Sequence, residues 1–395
     1  MLRTFWSALA LTFVAATFVA VGCGPSGDDD DSTPDPGSSP VITDLSPEPA
    51  TDDFFYQSEL WVEWNVAPEG ATYALSKAGE AISGVSETRS SGRVLAFTPD
   101  AALESGAEYS VTVSWNSPDS PLTFDFSTGA HGTALEDNAT LIGKTFHLDL
   151  ASADFVTPPG VGPILQSQIG DLAILFSVTD DSNFAANELH ILGATGSSDS
   201  GAVSQDTCGL TLGFTAGPDG VVGNDDDIPA VWDNPAMSLG PTNLELSTPD
   251  FAVMIENLEI TGTFHPDLND MRGGTFAGRI DTRPLVPLLD PEGGDDAVCE
   301  LVSETVGVDC EECGGGSPGP YCLTIVAEDV TAAKISDSGI TPVACDDIIS
   351  DAATCVDEAA SFDPNGDGTY IECPTWMSGD DDDSAAGDDD DSAGM

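Results

Sequence analysis

Between residues 41 and 129, apolar residues alternate with polar ones in short runs separated by turn-forming residues. Leu60, Val62, Trp64 and Val66 share one parity, as do Tyr109, Val111, Val113 and Trp115, and then Leu122, Phe124 and Phe126. Residues 73–76 and 93–98 form further short runs between them. Alternation with a period of two predicts half-buried strands, and their close spacing predicts an antiparallel sandwich. Leu103, Gly106 and Tyr109 are spaced as at a tyrosine corner, where the phenol bonds back to the backbone just before its strand begins.

Residues 130–138 are polar and mark a boundary. Beyond it, residues 131–375 carry strand patterns at 145–150, 172–178, 188–192, 210–214, 251–264, 275–281 and 322–326. In the longest of these, Phe251, Val253 and Ile255 share one parity while Leu258 and Ile260 share the other. That switch predicts a bulge near Glu256 or Asn257. Helical signals are fewer. One covers 164–169; the other covers 295–306, with Asp295 as cap and Val298, Leu301, Val302 and Thr305 on one face. The fold class is therefore mainly β, an N-terminal sandwich followed by a larger β-rich domain with one or two helices. Periodicity leaves that larger domain open between a sandwich and a barrel.

The ends follow other rules. Arg3 precedes an almost unbroken apolar run over residues 5–21, closed by Ala20-Val21-Gly22-Cys23. That order is a targeting signal. It resembles the lipobox of bacterial lipoproteins, which implies cleavage before Cys23 and acylation of its thiol and new amino terminus. Two or three acyl chains anchor a protein to a bilayer where one is marginal. Residues 23–40 contain a run of four aspartates and no Leu or aromatic residue, which predicts a flexible acidic tether. The same acidic block recurs twice in residues 376–395, predicting a disordered tail. The tether is similar to the surface-export signals of some Gram-negative lipoproteins. The organisation expected is thus 1–22 signal peptide, 23–40 tether, 41–129 sandwich, 131–375 β-rich domain and 376–395 tail. Residues 41–129, with the corner around Tyr109 and the closing Phe124-Asp125-Phe126-Ser127-Thr128-Gly129, resemble the bacterial Ig-like domains of S-layer and other cell-surface proteins. The resemblance implies a spacer or presenting module and no catalysis.

Charge narrows the partners. The chain has 9 Lys and Arg against 69 Asp and Glu, a formal net charge of −60. Such a surface excludes nucleic acid and direct docking on anionic lipid headgroups, so the lipid at Cys23 is the expected membrane contact. Of the 9 cysteines, Cys23 is the lipidation site. The other eight, Cys208, Cys299, Cys310, Cys313, Cys322, Cys345, Cys355 and Cys373, form an even set that predicts disulfides in an exported protein. A zinc site at Cys310-Glu311-Glu312-Cys313 with Cys299 and Cys322 is the weaker reading, because histidines are absent nearby.

Two segments carry metal chemistry. Asp363, Asn365 and Asp367, with Gly368 following, place oxygen ligands at alternate positions and resemble the start of EF-hand and dockerin calcium loops. Pro374 stands where the bidentate glutamate belongs and Glu372 comes two residues early. Asp219, Asn224, Asp225 and Asp227 form a second acidic loop of the same character, and calcium is the cofactor expected at both. Gly315-Gly316-Ser317-Pro318-Gly319 copies a hydrolase nucleophile pattern, but Pro318 has no N–H for an oxyanion hole. His131, His147, His190 and His265 form no zinc-protease motif. His265-Pro266-Asp267 reads as a strand-end turn. Trp232, beside Asp233 and Asn234, reads as half-buried more readily than as a sugar-binding surface.

No catalytic constellation emerges. The expectation is a non-catalytic outer-membrane lipoprotein of the cell envelope, facing the periplasm or the cell surface. Its Ig-like spacer would present a β-rich domain to a glycan, a protein or calcium. A structural coat component is the alternative, and an enzyme acting on envelope polymers from residues 131–375 is the more distant one.

Overall fold

The computed structural model describes residues 39–160, 162, 166, 173–199, 202–217, 222–247, 252–286, 293–314, 319–350 and 354–355. The fold is mainly β. The first module contains β1 (Ile42–Ser46), β2 (Leu60–Trp64), β3 (Thr72–Lys77), β4 (Glu80–Ile82), β5 (Gly84–Arg89), β6 (Val94–Pro99), β7 (Glu108–Ser114) and β8 (Leu122–Ser127). These strands make two antiparallel sheets, ordered β1-β2-β6-β5 and β4-β3-β7-β8. Leu60, Val62 and Trp64 from one sheet pack with Tyr109, Val111, Val113, Phe124 and Phe126 from the other in a shared core. The alternation had assigned those positions to one face. The β2 strand stops before Val66, because the Asn65 side chain accepts the N–H of Val66 and of Val41 and turns the chain out of the sheet. The corner is present: the backbone N–H of Glu104 donates to the Tyr109 hydroxyl at 2.7 Å.

The second module contains β9 (Thr145–Asp149), β10 (Asp154–Thr157), β11 (Ala173–Val178), β12 (Glu188–Leu189), β13 (Ile191–Asp199), β14 (Ala202–Gln205), β15 (Thr211–Gly213), β16 (Ala230–Asp233), β17 (Ala236–Ser247), β18 (Ala252–Phe264), β19 (Asp270–Asp281) and β20 (Cys322–Ser336). All belong to one sheet, ordered β12-β16-β17-β18-β19-β20-β9-β11-β13-β14, with β10 beside β20 and β15 beside β13. Only His190 separates β12 from β13 in the chain, yet β12 begins that order and β13 stands near its end. The sheet must therefore curl until its two ends meet at His190. Phe146, Phe176, Trp232 and Phe264 fill the enclosed core with ring centroids 5.2–6.5 Å apart.

The bulge expected in β18 is found. Its register against β19 shifts between Glu256 and Glu259, and Asn257 takes a positive φ of 50°. The helix expected at 295–306 is α1 (Ala297–Val306), with Asp296 rather than Asp295 at its cap and no capping bond from that side chain. Its buried face is Val298, Cys299 and Val302, while Leu301 is exposed. Cys299 on that face is bridged to Cys310, which packs against the core. A short α2 (Cys345–Ser350) was not anticipated. The helix expected at 164–169 lies, apart from Gln166, outside the described residues.

Three disulfides are defined: Cys208–Cys355, Cys299–Cys310 and Cys313–Cys322. Cys345 is disulfide-bonded as well. This pairing removes the zinc alternative, since the four thiols it needed are consumed in two bridges. Cys23 and Cys373 lie outside the described residues.

Candidate functional site

Three places bring ionisable side chains together in ways the sequence did not announce. The first is the junction between the modules. His131 stands in the polar boundary stretch, yet its side chain is only 1% exposed. Its Nε2 lies 3.1 Å from Asp270 Oδ1, and Asp270 Oδ2 accepts Arg272 Nε at 2.8 Å. Arg272 then reaches across to Asp53 of the sandwich at 2.7 Å. The Tyr56 hydroxyl lies 3.4 Å from that of Thr263, and the Phe55 ring packs against His131. Gly273, at φ +59°, passes so close to Phe55 that a Cβ there would sit 2.0 Å from the ring. The boundary stretch is pinned as well: Asn234 accepts the Leu135 N–H and donates to the Leu135 carbonyl. Burial of the His131 ring lowers its pKa below 6.5, with the attraction of Asp270 opposing and the charge of Arg272 and nearness of His265 assisting.

The second place is the seam where the sheet closes. His190 is fixed through its backbone: its carbonyl accepts the Thr179 N–H at 3.0 Å and its N–H donates to Ser182 Oγ at 2.9 Å. Its Nδ1 points between two carboxylates, 2.7 Å from Asp227 Oδ2 and 3.4 Å from Asp181 Oδ2. Asp181 is oriented by the Thr179 hydroxyl, and Asp227 Oδ2 also accepts the Gly223 N–H at 2.7 Å. One ligand atom from each of Asp181, His190 and Asp227 lies within 4.8 Å of the other two.

Of the acidic loop expected to hold calcium, Asp227 alone enters this cluster. Asp225 is exposed, and Asn224 spends its Oδ1 on the N–H of Asp226 at 3.3 Å, closing a turn. Asp219 lies outside the described residues, as do Asp363, Asn365, Asp367 and Glu372 of the other loop and Ser317 of the serine motif. Sequence reasoning missed Asp181 and His190, which are nine residues apart in sequence and follow no ligand spacing. Trp232 is 2% exposed and packs on Phe184 and Phe264, so it lines no surface for a sugar. His265 and Asp267 pair within the turn joining β18 to β19, at 2.5 Å from Nδ1 to Oδ1, as expected for a strand-end turn.

A third ionic cluster ties the disulfide-rich segment to the bulge. Glu256 accepts the Gly314 N–H at 2.9 Å and Arg279 Nε at 2.8 Å. The Gly314 N–H foremost, with Arg279, holds the Glu256 carboxyl below its usual value. Its partners are all structural.

No family model matches this chain, and no curated protein matches it either. Among solved structures, the chain aligns with PcoC, a methionine-rich copper resistance protein from Escherichia coli, at 14% identity and a TM-score of 0.20, covering 23% of this chain and 99% of that one. It aligns with domains 1–6 of the surface layer protein SbsC at 8% identity and a TM-score of 0.20, over 75% of this chain and 53% of that one. It aligns with a cycloalternan-forming enzyme from Listeria monocytogenes at 11% identity and a TM-score of 0.17, over 78% of this chain and 31% of that one. The chain thus spans about half of the SbsC fragment and a third of the Listeria enzyme. Likeness at this level assigns neither family nor function.

Proposed function

We propose that this protein is a non-catalytic lipoprotein of the cell envelope, anchored through Cys23, whose sandwich acts as an Ig-like spacer presenting the curled sheet to a glycan or protein ligand. The observation that supports this reading is the junction. A flexible string of domains needs no buried contact between neighbours, whereas here His131, Asp270, Arg272 and Asp53 join the modules through hydrogen bonds and an ion pair. Beyond a flexible tether of residues 23–40, one stiff body would hold the far end of the curled sheet clear of the membrane. Among the described residues no helix is long and apolar enough to cross a membrane.

The test is the fate of the protein in its own cells. Wild type should partition with membranes, and its mature N-terminal peptide should carry diacylglycerol on Cys23. Protease added to intact cells reports which side it faces. The Cys23→Ser variant should leave the membrane fraction. Recovery of unmodified Cys23 within an intact N-terminal segment would overturn the reading.

A further inference from the structure

We propose that Asp181, His190 and Asp227 form a binding site for one first-row divalent transition-metal ion, of the zinc type, at the seam where the sheet closes on itself. Two carboxylates facing one imidazole nitrogen do not suffice for this claim, since a neutral histidine donating Nδ1–H to Asp227 would account for the 2.7 Å contact as an ordinary latch. Two further observations go beyond a latch.

The Asp227 side chain is only 2% exposed, and its second oxygen, Oδ1, is buried with no hydrogen-bond partner. Buried carboxylate oxygens are ordinarily satisfied, because leaving one bare forfeits its hydration with nothing in return. The latch uses Oδ2 alone. A cation beside Asp227 would supply the missing partner. Moreover, Nδ1 carries at most one proton, and Asp181 Oδ2 stands 3.4 Å away as a second acceptor that this proton cannot serve equally well.

The other observation concerns charge. A site with two carboxylates would ordinarily be neutralised by Lys or Arg. All eight basic side chains among the described residues are engaged with carboxylates elsewhere: Lys77 with Glu104, Arg89 with Glu59, Arg93 with Glu63, Lys144 and Lys334 with Asp337, Arg272 with Asp53, Arg279 with Glu256 and Arg283 with Asp281. None is an ion-pair partner of Asp181 or Asp227. Among the described residues no lysine or arginine is left to serve this place.

The donor set selects the metal. Calcium and magnesium take oxygen ligands, calcium six to eight of them, whereas an imidazole nitrogen with carboxylates suits zinc and its first-row neighbours. Three protein ligands leave a coordination position for water or an external donor. Asp181, 32% exposed, marks the solvent side. The ion would join three segments: the turn after β11 through Asp181, the seam through His190, and the loop before β16 through Asp227. This replaces the calcium expected on that loop with a different ion and a different ligand set.

The experiment uses the full chain purified in detergent, stripped with chelator and titrated at fixed ionic strength with Zn2+, Mn2+ and Ca2+, with calorimetry and native mass spectrometry as readouts. The expectation is one saturable Zn2+ per chain, bound more tightly than Ca2+. His190→Ala and Asp227→Asn should each weaken Zn2+ by at least about tenfold, the loss that even outer-shell partners produce. Asp225→Asn, an exposed neighbour in the same loop, should bind like wild type. Because Asp227 is buried, its variant could misfold, so zinc-edge X-ray absorption of the wild-type complex gives a second readout that needs no substitution. One imidazole in a shell of oxygen donors supports the site. Oxygen donors alone, no saturable uptake, equal Zn2+ affinity in wild type and His190→Ala, or tighter Ca2+ than Zn2+ would each overturn it.

Discussion

The sandwich and the curled sheet treat their exposed strand edges differently. In the sandwich, β5 is an edge strand whose six residues are all exposed, with Glu87 and Arg89 among them. Charges on an edge discourage pairing with another chain, and the strand needs no cover. The curled sheet instead brings its two ends together at His190 and covers the β14 and β15 side with a later segment of the chain. Residues 340–350 lie along β14 and β15: Thr341 exchanges two hydrogen bonds with the Gln205 side chain, and Val343 makes three with Thr211, its carbonyl accepting the Thr211 N–H and hydroxyl and its N–H donating to that hydroxyl. Ile348 and Cys355 complete a small separate core there with Cys208, Leu210 and Val343. No cysteine lies in residues 41–129, and Cys208–Cys355 lies at this covered edge. The cross-link stands where a short segment holds a strand edge through few contacts, and the sandwich, whose two sheets bury each other, has none.

Breaking that bond tests the contrast most severely. Cys208 and Cys355 are 147 residues apart, a loop whose closure entropy corresponds to about 5 kcal/mol in the chain-entropy account, an upper estimate. The double variant Cys208→Ala/Cys355→Ala should release residues 340–350, so hydrogen exchange at Val343 and Ile348 rises steeply. Exchange in β2 and β7 of the sandwich should stay at wild-type rates. Equal acceleration in both modules would show that the cross-link supports the whole molecule and not this one edge.

A smaller effect is expected where the modules meet. At Gly273 a side chain would require a left-handed backbone, at φ +59°, and would collide with Phe55 of the sandwich. Gly273→Ala should cost about 1–3 kcal/mol through the backbone alone. Because the strain falls on the junction, the variant should open residues 130–136 to limited proteolysis while each core stays folded. Unchanged cleavage would mean that the modules are held together elsewhere.

The two regions also differ in how far the sequence disclosed them. Sandwich strands bury one face each, so Leu60, Val62 and Trp64 carry a clean alternation. Burial selects residue types directly there, and the Tyr109 corner has a local spacing. In the curled sheet the signal is broken by the devices that bend it. The strand β17 was missed because Gly240 and Pro241 punctuate it; the structure places a register shift between Leu239 and Thr242. The strand β20 was foreseen only to Val326, since Glu328 and Asp329 interrupt its apolar run and Asp329 takes a positive φ of 52°. Bulges of this kind accommodate curvature at the expense of pattern. The seam cluster was illegible for another reason. With 69 acidic residues, a histidine near carboxylates is uninformative in sequence, and only the closure of the sheet brings Asp181, His190 and Asp227 together.

The smallest expected effect separates the junction from the rest of the molecule by pH. Burial of His131 disfavours its imidazolium and lowers its pKa below 6.5, against the opposing attraction of Asp270. The unfolded chain therefore takes up this proton near pH 6.5, while the folded protein takes it up only at lower pH. Between those two values the unfolded state holds more protons, so stability must fall on acidification, and it is flat in this term above and below the window. Had Asp270 dominated, His131 would titrate above 6.5 and the slope would have the opposite sign. The carboxylates held down by their partners act in a lower range. Asp281, lowered chiefly by its bonds from Arg283, and Glu256, lowered by the Gly314 N–H, lose their contributions as pH falls through 3.8 and 4.5 towards their folded values. Denaturation midpoints of wild type and His131→Gln between pH 7 and 5 isolate the histidine. Wild type should lose more stability over that interval than the variant, with His131 proton resonances titrating below 6.5. A wild type that gains stability on acidification would show that Asp270 outweighs burial, making the junction an ion pair that tightens in acid.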